Sequence, residues 1–186
     1  DKNKYCDEKS QLNPISLYGR TKVDAENIIM KNKNVIAFRL ATVFGHSYRM
    51  RTDLLVNNFV YNALFDKQLT LFEPHFRRNY IHINDVVDGI VYSINNFNKL
   101  KSNVYNLGLS SANLTKLMLA KKIKKKLKFL KINFVKNKKD PDQRDYFVSN
   151  KKIEQKGFKA KVKIEDGIDE LIKVFTHSKE KIVNNY

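Results

Sequence analysis

The chain has 186 residues, 42% hydrophobic and 11% aromatic, enough for one core with a small appendage and too apolar for a disordered segment. No apolar run is long enough to cross a bilayer, no leader-peptide pattern is present, and the single Cys6 excludes an internal disulfide, so a cytoplasmic setting is expected. The net charge of +17 comes mostly from lysines scattered among Asn and Ile; it reads as compositional bias, and neither a nucleic-acid nor a membrane partner is expected.

Residues 1–12 read as polar and turn-rich, and the start at Asp1, without an initiator Met, reads as a piece of something longer. Asn13-Pro14 predicts a helix start, with Asn as cap and Pro at the first helical position, and the helix carries Tyr18, Lys22, Ala25, Ile28 and Ile29. Val35 to Ala41 is a nearly continuous apolar run, the pattern of a strand buried on both faces of a parallel sheet, and Thr42-Val43-Phe44-Gly45 turns the chain out of it. A polar connector with Arg49 and Arg51 precedes a helix with Leu54, Leu55, Phe59, Ala63 and Leu64 apolar. Leu69 to Phe72 is a short strand, and Arg77-Arg78-Asn79 leads into a strand at Tyr80-Ile81-His82-Ile83. His82 alternates with Ile81 and Ile83 and reads as a packed strand residue rather than a base. Asn84 is placed to cap a helix with Val86, Val87, Ile90, Val91 and Ile94 as its apolar stripe.

Asn103 to Leu109 reads as a strand ending near Gly108, and Asn113 as the cap of a lysine-rich helix. Its dense block, residues 121–126, admits an anion-binding reading. Ala120, Ile123, Leu127 and Leu130 recur through it at helical spacing, however, and no aromatic residue interleaves the lysines. The solvated face of a packed helix is the better account. Phe129 to Val135 and Tyr146 to Val148 are strand-like, Lys152 to Gly157 is a short helix closed by glycine, and Glu165-Asp166-Gly167 opens a last helix with Ile168, Leu171, Ile172 and Phe175 apolar. The order of elements predicts an α/β protein with a more irregular second half.

Chemistry is concentrated at Tyr18-Gly19-Arg20-Thr21-Lys22. Residues four apart share a helix face, and an ammonium one turn from a phenol favours the ionised form, so the pair can serve as a tuned proton acceptor and donor. The spacing alone is common by chance and equally fits two ordinary helix residues.

In company it is more specific. The Tyr18–Lys22 segment with Glu26, the strand end from Arg39 to Gly45, the run Arg78-Asn79-Tyr80-Ile81-His82-Ile83-Asn84-Asp85-Val86, and Tyr105-Asn106-Leu107-Gly108 follow in one order. So do Lys152 to Phe158 and Glu165 to Ile168. Together they resemble the NAD-dependent epimerase/dehydratase family of extended short-chain dehydrogenases/reductases, whose members act on nucleotide sugars. The resemblance implies the C-terminal part of a Rossmann-like parallel-sheet domain (residues 1–50, with about 75–108 returning to it). A smaller α/β substrate-binding region, mostly within 51–186, accompanies it. It implies that Tyr18 takes a proton from a sugar hydroxyl while hydride passes to NAD (or NADP), that Lys22 binds the nicotinamide ribose, and that Arg78 meets the sugar-nucleotide diphosphate. Thr42, Asn57 and Arg144 are further substrate-binding candidates by the same resemblance, with Asn58 beside Asn57; no metal site is expected, and a homodimer through the Tyr-bearing helix is.

Thr42 stands where the family often has Asn, keeping a hydroxyl and losing an amide. The six glycines, at 19, 45, 89, 108, 157 and 167, are too far apart to form a dinucleotide fingerprint, and the family's catalytic Ser or Thr would precede Asp1. Cys6 is too close to Tyr18 to stand in for it. The expectation is therefore half of an enzyme, inactive alone, competing with a non-catalytic nucleotide- or partner-binding remnant of the same family.

Overall fold

The computed structural model describes residues 5–135 and 145–177. β1 (Tyr5–Cys6) precedes α1 (Leu17–Ile29), which leads into β2 (Ile36–Leu40) and β3 (Thr42–Phe44). Next come α2 (Leu55–Phe65), β4 (Gln68–Leu71), β5 (Arg77–His82), α3 (Ile83–Asn95), α4 (Phe97–Leu100) and β6 (Asn103–Leu107). A 3-10 turn at Ser110–Ala112 precedes β7 (Asn113–Thr115), α5 (Lys116–Lys126) and β8 (Lys131–Phe134), and β9 (Phe147–Val148), α6 (Lys151–Gln155) and α7 (Ile164–His177) complete the series.

The pairing is mostly parallel, as an α/β fold requires. β2 runs parallel to β6, β3 to β5, β4 to β8 and β1 to β9, while β7 joins β5 antiparallel. β5 is the shared wall. Side chains alternate across a strand, so Tyr80 joins a core with Phe44, Val56, Leu114, Ile123, Ile168 and Phe175, while Ile81 joins a second with Tyr105, Leu107, Ile153 and Phe158. Gly108 permits the close approach between them: a Cβ there would stand 1.8 Å from Asn79 Oδ1.

Four expectations are corrected. α1 begins at Leu17 rather than Pro14, because Ser16 is the residue whose hydroxyl accepts the Gly19 amide at 3.0 Å. α3 is capped by His82, whose Nδ1 accepts from the Asn84 amide at 3.3 Å, so Asn84 lies inside the helix. Asn113 belongs to β7, and Thr115 caps α5 through the Met118 amide. Residues 5–6 form a strand because Cys6 finds Val148 in register, a pairing partner 142 positions away that no local pattern announces.

β2 also departs from the expectation of a strand buried on both faces: within it only Ala37 is buried and Leu40 is exposed. Its sheet contains just β2 and β6 among the described residues. The far edge of β6 is closed by charged side chains: Glu8 accepts the Asn106 amide at 2.8 Å and Lys152 Nζ donates to the Val104 carbonyl at 2.8 Å. Among the described residues the edge of β2 carries no strand.

Candidate active site

α1 presents the Tyr–Lys pair. Tyr18 is 72% exposed, and Lys22 Nζ lies 5.2 Å from the centroid of its ring. No residue of α1 is buried; Gly19, Val23, Glu26 and Met30, spaced along one face, are its half-covered positions. The helix is held to the sheet by Glu26, whose carboxylate accepts from Arg39 Nε at 2.9 Å and Nη2 at 2.6 Å. Arg39 also donates to the Glu8 carbonyl, and the carboxylate bonding of Glu26 raises the arginine further above its ordinary value.

The second group of side chains belongs to the β3–β5–β7 sheet. Thr42, half-buried, opens β3 and is in register with Tyr80 of β5. Two residues earlier on the same face of β5 is Arg78, only 2% exposed, which donates through Nη1 to the Arg77 carbonyl and lies with its guanidinium carbon 5.8 Å from the Tyr146 ring. Arg77, on the opposite face, holds Asp145 by Nε at 2.8 Å and Nη2 at 3.2 Å and stacks over Phe147 at 4.4 Å. The bonded guanidinium keeps the Asp145 carboxyl below its usual value. These contacts draw Tyr146 and Phe147 against β5.

Asn57 is buried in a different setting. Its Oδ1 accepts from the Gly45 amide at 3.1 Å, and its Nδ2 donates to the carbonyls of Gly45 at 3.1 Å and Arg51 at 3.0 Å. That amide fastens α2 to the turn after β3. His82 is buried and packs edge-on to Phe44 with centroids 5.3 Å apart, and its Nε2 lies 2.8 Å from Glu170 Oε2. The packed reading of this histidine is the one the structure supports. Arg144 lies outside the described residues.

The pair on α1 and the pair on β3–β5 are therefore carried by different sheets. Sequence reasoning treated Tyr80 only as a strand residue, yet it is fully buried beside Arg78. Burial pushes its phenol far above the ordinary tyrosine value, against the opposing pull of the Arg78 charge, so it is an O–H donor throughout the working pH range. The period-2 alternation Arg78, Tyr80, His82 was the available signal. Among the described residues no three His, Cys, Asp or Glu side chains group as metal ligands, and no helix is long and apolar enough to cross a membrane.

The sequence profile of the NAD dependent epimerase/dehydratase family matches residues 2–108. Uncharacterized protein MJ1055 of Methanocaldococcus jannaschii is 31% identical over 183 residues, covering 90% of this chain and 52% of that protein. The dTDP-glucose 4,6-dehydratase of Bacillus anthracis, solved in complex with NAD, superposes with a TM-score of 0.79 at 22% identity, over 96% of this chain and 58% of its own. Thermus thermophilus UDP-glucose 4-epimerase, also an NAD complex, gives 0.80 at 17% identity over 96% and 60%. At these identities the two structures establish the fold. The chain spans about half the length of the relatives it matches.

Proposed function

Because the chain belongs to the NAD dependent epimerase/dehydratase family, we propose that it carries the proton-transfer and sugar-nucleotide half of an NAD(P)-dependent nucleotide-sugar epimerase or dehydratase. The observation that carries the reading is the Tyr18–Lys22 pair, on one exposed face of a capped helix with the ammonium 5.2 Å from the phenol ring. Tyr18 Oη accepts the proton of a sugar ring hydroxyl, and Lys22, one turn on, stabilises the phenolate and holds the ribose of the cofactor. When bound, the nicotinamide supplies a hydride acceptor for the carbon being oxidised. Arg78, with a fixed fork of donors, anchors the diphosphate; Thr42 contacts the sugar, and Arg144 adds a second anion contact. Asn57 is the weakest of the set, since its amide is already engaged by backbone.

The residues present fit the ribose side of a nicotinamide dinucleotide and not its pyrophosphate. The spaces beside Gly45, Gly89, Gly108 and Gly167 are filled by side chains of the chain itself, so none of these glycines opens a cradle of adjacent amides. The strand-free edge of β2, opposite the closed edge of β6, is where a larger parallel sheet continues. The 186 residues alone therefore bind NAD weakly and turn over nothing. The sheet-completing segment supplies the pyrophosphate loop and decides between epimerisation and dehydration. A cytoplasmic homodimer, packed through an arrangement of helices that includes α1, completes the reading.

Calorimetric titration with NAD tests it, on this chain alone and with the sheet-completing half added. Weak or absent binding alone and binding on addition support it, whereas tight binding by the 186 residues alone refutes the division. A nucleotide-sugar panel run on the complete enzyme, with Tyr18→Phe as control, tests the chemistry; activity surviving that change removes Tyr18 as the base.

A further inference from the structure

Glu8 bonds to two residues that stand opposite each other in the β2–β6 sheet. Arg39 and Asn106 are direct register partners on these parallel strands. The Glu8 carboxylate accepts the Asn106 amide at 2.8 Å, and the Glu8 carbonyl accepts Arg39 Nη1 at 3.2 Å. Glu8, half-buried, is itself fixed on both sides. Before it, the Cys6 carbonyl accepts the Ser149 amide at 3.0 Å and the Asn106 side chain at 3.4 Å. After it, the Asp7 carboxylate accepts the Lys9 amide at 2.9 Å and the Ser10 hydroxyl at 3.1 Å, which closes a tight turn.

The consequence lies in what Arg39 holds. Its Nε and Nη2 fork onto the Glu26 carboxylate, one turn beyond Lys22 on the helix that carries Tyr18. A long arginine side chain gives up rotamer freedom to make that fork, so the fork orients a helix only as well as the guanidinium is held. Glu8 holds it. Nη1, the nitrogen Glu26 does not use, is tied to the Glu8 carbonyl, and the same residue's carboxylate is tied to the neighbouring strand. We propose that Glu8 is a positioning residue that acts through Arg39 and Glu26 to fix α1, and with it the Tyr18–Lys22 pair, against the sheet. The inference deepens, and rests on, the reading of that pair as the proton-transfer machinery.

Hydrogen exchange on the 186-residue chain, followed over residues 17–29, tests the positioning. Glu8→Ala removes the acceptor and is expected to speed exchange in α1 about 2- to 10-fold, the factor equivalent to one hydrogen bond, with β5 unchanged. Glu8→Gln keeps an acceptor oxygen at the same reach and is expected to stay within about 2-fold of the parent. In a Glu26→Ala background the route to the helix is cut, so Glu8→Ala is expected to add less than about 2-fold. Should Glu8→Ala fail to fold, Glu8→Asp, one methylene shorter, takes its place with the same expectations. Unchanged α1 exchange, equal acceleration in β5, the full effect persisting beside Glu26→Ala, or Glu8→Gln behaving as Glu8→Ala each overturns the proposal. In the complete enzyme Glu8→Ala is expected to lower kcat about 2- to 10-fold at unchanged KM for the nucleotide sugar, because the groups of β3–β5 lie on another sheet. A raised KM at unchanged kcat overturns the proposal as well. Activity surviving Tyr18→Phe would instead sink the underlying reading, and the exchange results would still decide whether Glu8 fixes α1.

Discussion

The attachment of α1 gives the sharpest test of how the Tyr–Lys pair is positioned. Because α1 buries no residue, the two charge-assisted bonds from Arg39 to Glu26 are its principal polar link to the sheet. Hydrogen bonds to charged partners contribute about 1.5–3 kcal/mol each in mutational series. The side chains here are 23% and 16% exposed, so solvent screening lowers the net worth of the pair to about 1–2 kcal/mol. Glu26→Gln keeps the length and removes the charge. It is expected to speed amide exchange across residues 17–29 by about 5- to 30-fold, the factor equivalent to 1–2 kcal/mol. Exchange in β5 and β6, whose cores the change does not reach, should be unaffected. Hydrogen exchange followed by mass spectrometry resolves the two regions, and about 0.5 M salt should reproduce part of the effect in the parent. Unchanged protection in α1 would show that the helix is held by something else. An equal loss throughout would show that α1 is not a locally opening unit, and either result refutes the reasoning.

Other consequences are as specific. Tyr18→Phe alters an exposed side chain and should leave urea-unfolding stability within about 0.5 kcal/mol, while turnover of the complete enzyme falls by about 100-fold or more. Asn57→Ala leaves an amide and two carbonyls near Gly45 and Arg51 without their partner and should cost about 2–4 kcal/mol by chemical denaturation; a loss of nucleotide binding at unchanged stability would reverse that structural assignment. Gly108→Ala forces a Cβ to within 1.8 Å of Asn79 Oδ1 and should cost about 1–3 kcal/mol, read as a lowered Tm. The acid limb of stability follows from Asp145, held down by Arg77, and Glu165, held down by Lys122. Folded values below the unfolded ones mean that this stability is present above about pH 4 and is lost as pH falls through the folded values; Asp145→Asn with Glu165→Gln should flatten that limb. Tyr80 has the opposite sign. A phenol raised by burial contributes stability that is full below about pH 10 and lost as pH rises through its folded value, so Tyr80→Phe should reduce the alkaline decline.

The elements with strong local patterns were legible in the chain order. The α5 spacing and the apolar face of α7 each repeat a helical period, and Ala120, Ile123, Leu127 and Leu130 are all buried beneath the lysine block; the α3 stripe foretold the helix but not its buried face, since Val86 is buried while Val87, Ile90, Val91 and Ile94 are exposed. Two of the lysines meet α7, Lys126 with Asp169 at 2.6 Å and Lys122 with Glu165, which matches the solvated-face reading. Helix starts were less legible. Asn13, Ser16, Asn84 and Asn113 are all competent caps by residue type, and only the path of the backbone selects among such candidates. The membership of the family was also readable, because it rests on several motifs in order rather than on any one contact.

What the sequence determined by itself is thus local or ordinal: periodicity, residue chemistry at four-residue spacing, and the succession of motifs that places Tyr18 and Lys22 on one helix face. Only the tertiary structure decided what depends on partners distant in the chain. It buried Asn57 as a tie between α2 and the β3 turn, made Cys6 a strand residue opposite Val148, and set Tyr80 two residues from Arg78 on one face of β5 with its hydroxyl unmatched among the described residues. The physical reason is the same in each case. A hydrogen bond or its absence is a property of two groups, and a sequence names each group without saying which others it will meet.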